Sequence, residues 1–138
     1  MVSETPKITV DAVTILNGKV VLIRRKNPPY QGMFALPGGF VEIGETTENA
    51  VLRELNEETG LSAEIVKLLG VYSDPNRDPR GHTISVCYLL IGHGIPTADT
   101  DAKEIGIFDI TDIPELAFDH NKIINQSRED IYGVLSKM

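Results

Sequence analysis

Hydrophobic residues recur along this chain with two different periods. "KITVDAVTIL" (7–16) and "GKVVLIRRK" (18–26) are rich in β-branched residues and meet at Asn17-Gly18, the dipeptide that most strongly signals a tight hairpin turn. They predict an antiparallel pair of strands. "NPPYQGMFALPGG" (27–39) is dominated by turn-forming residues and reads as a connection. In "TTENAVLRELNEETG" (46–60) the pattern becomes helical, with Thr46 or Thr47 as N-cap and Gly60 as the stop. Further strands are expected at 63–73, 82–92 and 105–110, beside the irregular stretches "SDPNRDPRG" and "HGIPTADTDAKE". A last helix is expected near 119–135. The outline is a mixed sheet with two helices, an α/β fold, and periodicity alone does not say which faces the helices cover.

The 138 residues suit a single domain, 1–138, large enough to bury a core without disulfides or a structural metal. No repeat, low-complexity segment or change of composition marks a linker. No apolar run approaches the roughly 18 residues of a membrane helix. The N-terminus lacks the charged start and apolar core of a signal peptide, and the single cysteine, Cys87, sits in a strand-like run. A reducing, cytoplasmic setting is expected. Thirteen basic against twenty acidic side chains give a net charge of −7, which argues against nonspecific binding to nucleic acid or anionic membrane. An anionic small molecule would need a cation to mediate.

Residues 36–61 concentrate Glu45, Glu48, Glu54, Glu57 and Glu58 around one basic residue, Arg53. On a helix, Glu54, Glu57 and Glu58 project within an arc of roughly 100°, and Val51, Leu52 and Leu55 occupy a neighbouring arc. The helix thus has a core face and a carboxylate face. Like charges so close cost a few tenths of a kcal/mol per i,i+4 pair, so the pattern works against stability unless a cation neutralises it. A donor set of oxygens alone favours a hard ion such as Mg²⁺ or Mn²⁺ over zinc.

The order Gly39, five residues, Glu45, seven residues, Arg53-Glu54-Leu55, one residue, Glu57-Glu58, one residue, Gly60-Leu61 matches every specified position of the Nudix box, GX5EX7REUXEEXGU with U aliphatic. The chain resembles Nudix hydrolases from its first strand to its final helix, most specifically in this window. The resemblance implies an α/β/α sandwich with a mixed β-sheet and hydrolysis of a nucleoside diphosphate linked to another group. It implies that Glu54, Glu57 and Glu58 bind Mg²⁺, with Mn²⁺ as a substitute, and that Glu54 and Glu57 belong to the catalytic set. Arg53 would orient a carboxylate by ion pairing. Gly38 and Gly39 would let the backbone approach the substrate.

Substrate choice lies outside the box. "GVYSDPNRDPRGHTIS" (70–85) carries Arg77, Arg80 and His82, and arginine suits bidentate contact with phosphate. The segment is similar to one in a subgroup of ADP-ribose pyrophosphatases, and Pro75, fifteen residues after Gly60, matches that subgroup's marker. The resemblance therefore implies hydrolysis of ADP-ribose to AMP and ribose 5-phosphate, with Arg77 and Arg80 as substrate contacts. A triphosphate pyrophosphohydrolase of the 8-oxo-dGTP type and a non-catalytic ADP-ribose sensor are the alternatives.

"VVLIRRK" resembles a family segment, which implies that Arg24 or Arg25 reaches the phosphates; alternation places them on opposite faces, and Arg25 is preferred. In "DAKEIGIFDI", the family's late loop glutamate corresponds to Glu104, which would assist the metals or the attacking water. His82 is expected to support its loop and His93 to be exposed; His120 is read as a cap of the last helix or a residue at the edge of the site, with the cap preferred. Tyr30, Phe34, Tyr72 and Phe118 are all candidates for stacking on adenine, and sequence does not choose among them. A homodimer is expected from family analogy alone.

Overall fold

The computed structural model describes residues 4–98 and 104–138. Its framework is one sheet with the central strand order β3-β2-β1-β6-β5, built from β1 (Lys7–Leu16), β2 (Lys19–Arg24), β3 (Phe34–Ala35), β5 (Ser62–Tyr72) and β6 (Thr83–His93). Two further strands attach to it: β4 (Gly38–Phe40) pairs with β1, and β7 (Ile105–Phe108) with β2. The β1–β6 pairing is parallel and the others are antiparallel, so the sheet is mixed.

The β1–β2 hairpin forms as the sequence predicts. Asn17 and Gly18 both lie at positive φ, 49° and 82°, as a two-residue turn of type I′ requires. The connection 27–39 is more ordered than its turn-rich composition suggests, because it ends in β3 and in the start of β4. Gly38 and Gly39 are themselves strand residues, opposite Asp11 and Val10 of β1.

Helix α1 (Thr47–Thr59) starts where Thr46 accepts a hydrogen bond from the Asn49 N–H, which selects Thr46 as the N-cap. It stops at Gly60, at φ 73°, whose N–H returns to the Asn56 carbonyl. The expected last helix is divided into α2 (His120–Gln126) and α3 (Arg128–Leu135). At the break the buried Ser127 donates its N–H to the carbonyls of both Ile123 and Ile124.

Alternation along the central strands assigns the layers. Val10, Ala12 and Leu16 of β1 pack with Ala50, Val51 and Leu55 of α1, while Val13 and Ile15 pack with Ile123, Ile124 and Ile131 of α2 and α3. The sheet is therefore covered on both faces, and the result is the expected α/β/α sandwich. Among the described residues no helix is long and apolar enough to cross a membrane.

Candidate active site

Arg53 is the hub of the acidic helix. Its Nε and Nη2 donate to the two Glu45 carboxylate oxygens at 2.6 and 2.9 Å, and Nη1 donates to Glu54 at 2.9 Å and to Glu57 at 3.3 Å. A further bond from Nη2 to the Phe40 carbonyl, 3.1 Å, ties the hub to β4. This bidentate contact holds the Glu45 carboxyl down at about 2, and the surrounding carboxylates raise the guanidinium above its ordinary value. One cation thus hydrogen-bonds three carboxylates that would otherwise repel each other, with a fourth, Glu42, at 3.9 Å.

The three helix glutamates do not share one environment. Glu57 is more than half exposed, whereas Glu58 is buried and accepts the Gly38 N–H at 2.8 Å. The carboxylate face read from the helical period is accordingly open at Glu57 and closed at Glu58. Glu54 lies against Gly39 so closely that a Cβ there would stand 2.5 Å from the Glu54 carboxyl carbon. The glycine makes the cradle in which that carboxylate rests.

Beside α1 opens a cavity of about 240 Å³. Glu58, Gly38 and Gly39 line it, and so do Arg25, Arg77, Arg80 and Phe118. Arg25 is held by its Nε bond to the Pro29 carbonyl at 2.7 Å. Arg24, on the opposite face, pairs with Glu104 at 3.4 Å and stacks on Phe34. Arg80 is half exposed and pairs with Asp78 at 2.8 Å.

Arg77 lines the same cavity but is buried in the framework. It makes a bidentate pair with Asp119, at 2.9 and 2.7 Å, and a third bond to the Thr83 hydroxyl at 2.8 Å. Its donors brace the 73–81 loop against the start of α2. His82 also supports this loop, with Nε2 3.0 Å from the Ser73 carbonyl, and His93 is exposed beside Glu64. Glu104 is exposed, engaged with Arg24, and not part of the cavity lining.

Sequence reasoning missed Asp11, and of its two readings of His120 the structure supports the less preferred one, a residue at the edge of the cavity. His120 does not cap α2: its Nδ1 accepts the buried Leu36 N–H at 3.0 Å, and its Nε2 faces Asp11 at 3.4 Å. Burial pushes the imidazole down to about 3, so it is neutral, with Nδ1 the acceptor and the proton on Nε2. Asp11 also accepts a hydrogen bond from Ser85 and faces Arg77 at 3.7 Å, yet burial pushes its carboxyl up to about 7. The available sequence signal was a single acid inside an apolar strand, "TVDAVTIL", which a buried partner must accompany.

The arrangement is a covered α/β sheet that places an acidic helix at one side of an arginine-bearing cavity. It suits a protein that handles an anionic ligand together with a hard cation. The chain belongs to the Nudix family, whose NUDIX domain model matches residues 5–127. It is 55% identical over 121 residues to an ADP-ribose pyrophosphatase of Methanocaldococcus jannaschii, covering 86% of this chain and 71% of that protein. The NUDIX domain of Shewanella oneidensis NrtR, crystallised with ADP-ribose, superimposes with a TM-score of 0.84 at 31% identity, over 94% of this chain and 90% of that one. A bifunctional NMN adenylyltransferase/ADP-ribose pyrophosphatase of Francisella tularensis, solved with AMP and a manganese ion, gives a TM-score of 0.81 at 32% identity, over 94% of this chain and 43% of that one.

Nudix enzymes use divalent metals. Glu54, Glu57 and Glu58 offer only oxygen, and the Gly39 cradle keeps side-chain bulk away from Glu54, so the donor set fits a hard cation. Among the described residues no three ligating side chains converge as a finished cage. The reason lies in the hub: Arg53 draws Glu54 and Glu57 to itself, and Gly38 holds Glu58.

Proposed function

We propose that this chain hydrolyses the diphosphate of ADP-ribose, adding water to give AMP and ribose 5-phosphate, with Mg²⁺ as its working ion. The observation that carries the reading is the single cavity that joins the Glu58 and Gly38–Gly39 end of the acidic helix to Arg25 and Arg80. The Methanocaldococcus relative and the ADP-ribose held by the Shewanella domain support the choice of substrate.

Glu54, Glu57 and Glu58 would hold the ion, which when bound neutralises the diphosphate and makes the attacking water more acidic. Arg53 bonds both Glu54 and Glu57, and so holds the two carboxylates near each other. The Gly38 N–H fixes Glu58 in the same way. Arg25 and Arg80 attract the diphosphate, and Arg77, pinned to Asp119, keeps the loop that carries Arg80 in place. Substrate recognition in this reading falls to Arg80 and Arg25, with Arg77 as their support.

The test is kcat/KM of the wild type and Arg80→Ala on ADP-ribose, 8-oxo-dGTP and dGTP at one Mg²⁺ concentration. ADP-ribose should be preferred, and Arg80→Ala should lower its kcat/KM about 10- to 150-fold, the loss of one charge-assisted contact of roughly 1.5–3 kcal/mol. Chelation should abolish turnover, and Mg²⁺ or Mn²⁺ should restore it. Preference for a triphosphate would establish the 8-oxo-dGTP reading instead. ADP-ribose bound without turnover in Mg²⁺ would make the chain a sensor, the reading that the ligand-bound Shewanella domain favours second.

A further inference from the structure

Four aromatic residues were open as contacts at the site, and their packing separates them. Phe34 stacks edge-on with Phe108 at 5.1 Å and packs against the α2–α3 core, and Tyr72 packs on the same core with its hydroxyl bonded to Gln126. Phe118 belongs to neither core cluster and lines the cavity. The Arg25 guanidinium lies 4.9 Å from its ring centroid and that of Arg80 5.6 Å. We infer that Phe118 is a positioning residue for an anionic diphosphate: its ring gathers the two guanidinium groups of Arg25 and Arg80 into one cationic edge of the cavity. The inference rests on the proposed function, because it concerns how that substrate's diphosphate is held.

Two observations support this role. The first is charge. Asp78 pairs with Arg80 through two bonds of 3.1 and 2.8 Å, but among the described residues no carboxylate lies within ion-pair distance of Arg25. Burial and the neighbouring Arg80 both push the Arg25 guanidinium below its ordinary value, against weaker support from Asp78 and Glu58. Two guanidinium groups gathered over one ring, with only Arg80 directly paired to a carboxylate among the described residues, repel each other, and an incoming anion would relieve that repulsion.

The second is the backbone. Phe118 sits at φ 54° and Tyr30, edge-on against it at 4.9 Å, at φ 59°, both in the left-handed region that side-chain-bearing residues rarely adopt. The turn is held by bonds on either side. The Ala117 N–H donates to Phe34, Asp119 takes the Arg77 fork, and His120 accepts the Leu36 N–H. These anchors fix the ring where both guanidinium groups can lie over it.

Steady-state kinetics of a mutant cycle tests the inference, with wild type, Phe118→Leu, Phe118→Tyr, Arg80→Ala and the Phe118→Leu/Arg80→Ala double variant. Phe118→Leu should raise KM about tenfold with kcat within about threefold, because the arginines are misplaced while the acidic helix is untouched. Phe118→Tyr keeps the ring face and should stay within about twofold of wild type. In the Phe118→Leu background, Arg80→Ala should cost far less than it does in wild type. Equal costs in both backgrounds, or a loss confined to kcat, would overturn the positioning role. Wild-type turnover of ADP-ribose, measured first, reports on the proposed function alone. If another nucleotide is preferred, the same cycle read on its KM, or on the Kd of ADP-ribose for a sensor, still decides the role of Phe118.

Discussion

At the scale of single residues, two neighbouring glutamates with the same charge and the same expected role differ in what surrounds them. Glu57 is exposed and, among the described residues, bonded to Arg53 alone, so Glu57→Gln should lower kcat about 100-fold or more while leaving Tm within about 2 °C. Glu58 is buried on the Gly38 N–H. Glu58→Gln keeps an oxygen for that donor and should cost activity more than stability, whereas Glu58→Ala leaves the N–H unpaired and should lose about 1–3 kcal/mol. Urea denaturation beside kcat for the three variants checks the contrast; equal stability of Glu58→Gln and Glu58→Ala would remove the bond to Gly38 from the account. The identities of these residues were legible in the box spacing. Their burial was not, because Glu58 is covered by β4, which lies close in space and 20 residues away in sequence.

At the scale of elements, β4 connects the acidic helix to the sheet, and its two glycines face different neighbours. A Cβ on Gly38 would overlap the Val10 carbonyl oxygen and stand 2.6 Å from Asp11 Oδ1, so Gly38→Ala must push β4 off β1. That should cost about 1–3 kcal/mol of stability as overpacking against backbone. The atoms nearest a Cβ on Gly39 are the flexible end of Glu54, so Gly39→Ala should cost less stability than Gly38→Ala and lower kcat about tenfold or more by displacing that carboxylate. Chemical denaturation and kcat on both variants distinguish the two effects; a stable, active Gly39→Ala would show that the Glu54 cradle is dispensable. The α1 boundaries were readable from Thr46 and Gly60, since caps act within one turn of chain. The division of the last helix was not, since the break depends on where Ser127 is buried between α2 and α3.

At the scale of the whole molecule, β1 and the start of α2, more than 100 residues apart in sequence, meet through Asp11 and His120, with Arg77 and Asp119 facing the same cluster. Asp11 holds its proton in the fold up to about pH 7, against an ordinary value of 3.8, so its contribution to stability is full below about pH 4 and is lost as pH rises to 7. His120, pushed from 6.5 to about 3, contributes fully above about pH 6.5 and loses that contribution as pH falls. Between about pH 4 and 6.5 the two slopes oppose. Asp11→Asn removes the first, so its unfolding free energy should fall more steeply than that of wild type on acidification from pH 6.5 to 4, by up to about 1.4 kcal/mol per pH unit. Urea titrations across that range measure it, and parallel curves would contradict the opposed pair.

What the sequence determined by itself is local or strictly spaced: the Asn17-Gly18 hairpin, the caps of α1, the alternation of the strands, and the box that marks the family and its acidic helix. Each of these is set by interactions within a few residues, or by a spacing that survives in the chain as written. Tertiary structure decided the rest. It chose the face each helix covers, placed Arg25 at the cavity and Arg24 at Glu104, and bound Arg77 to Asp119. It also brought Asp11, His120 and Phe118 to one cavity. Those outcomes depend on which distant side chains share a desolvated space, where an unpaired charge is costly and a paired one is held fast.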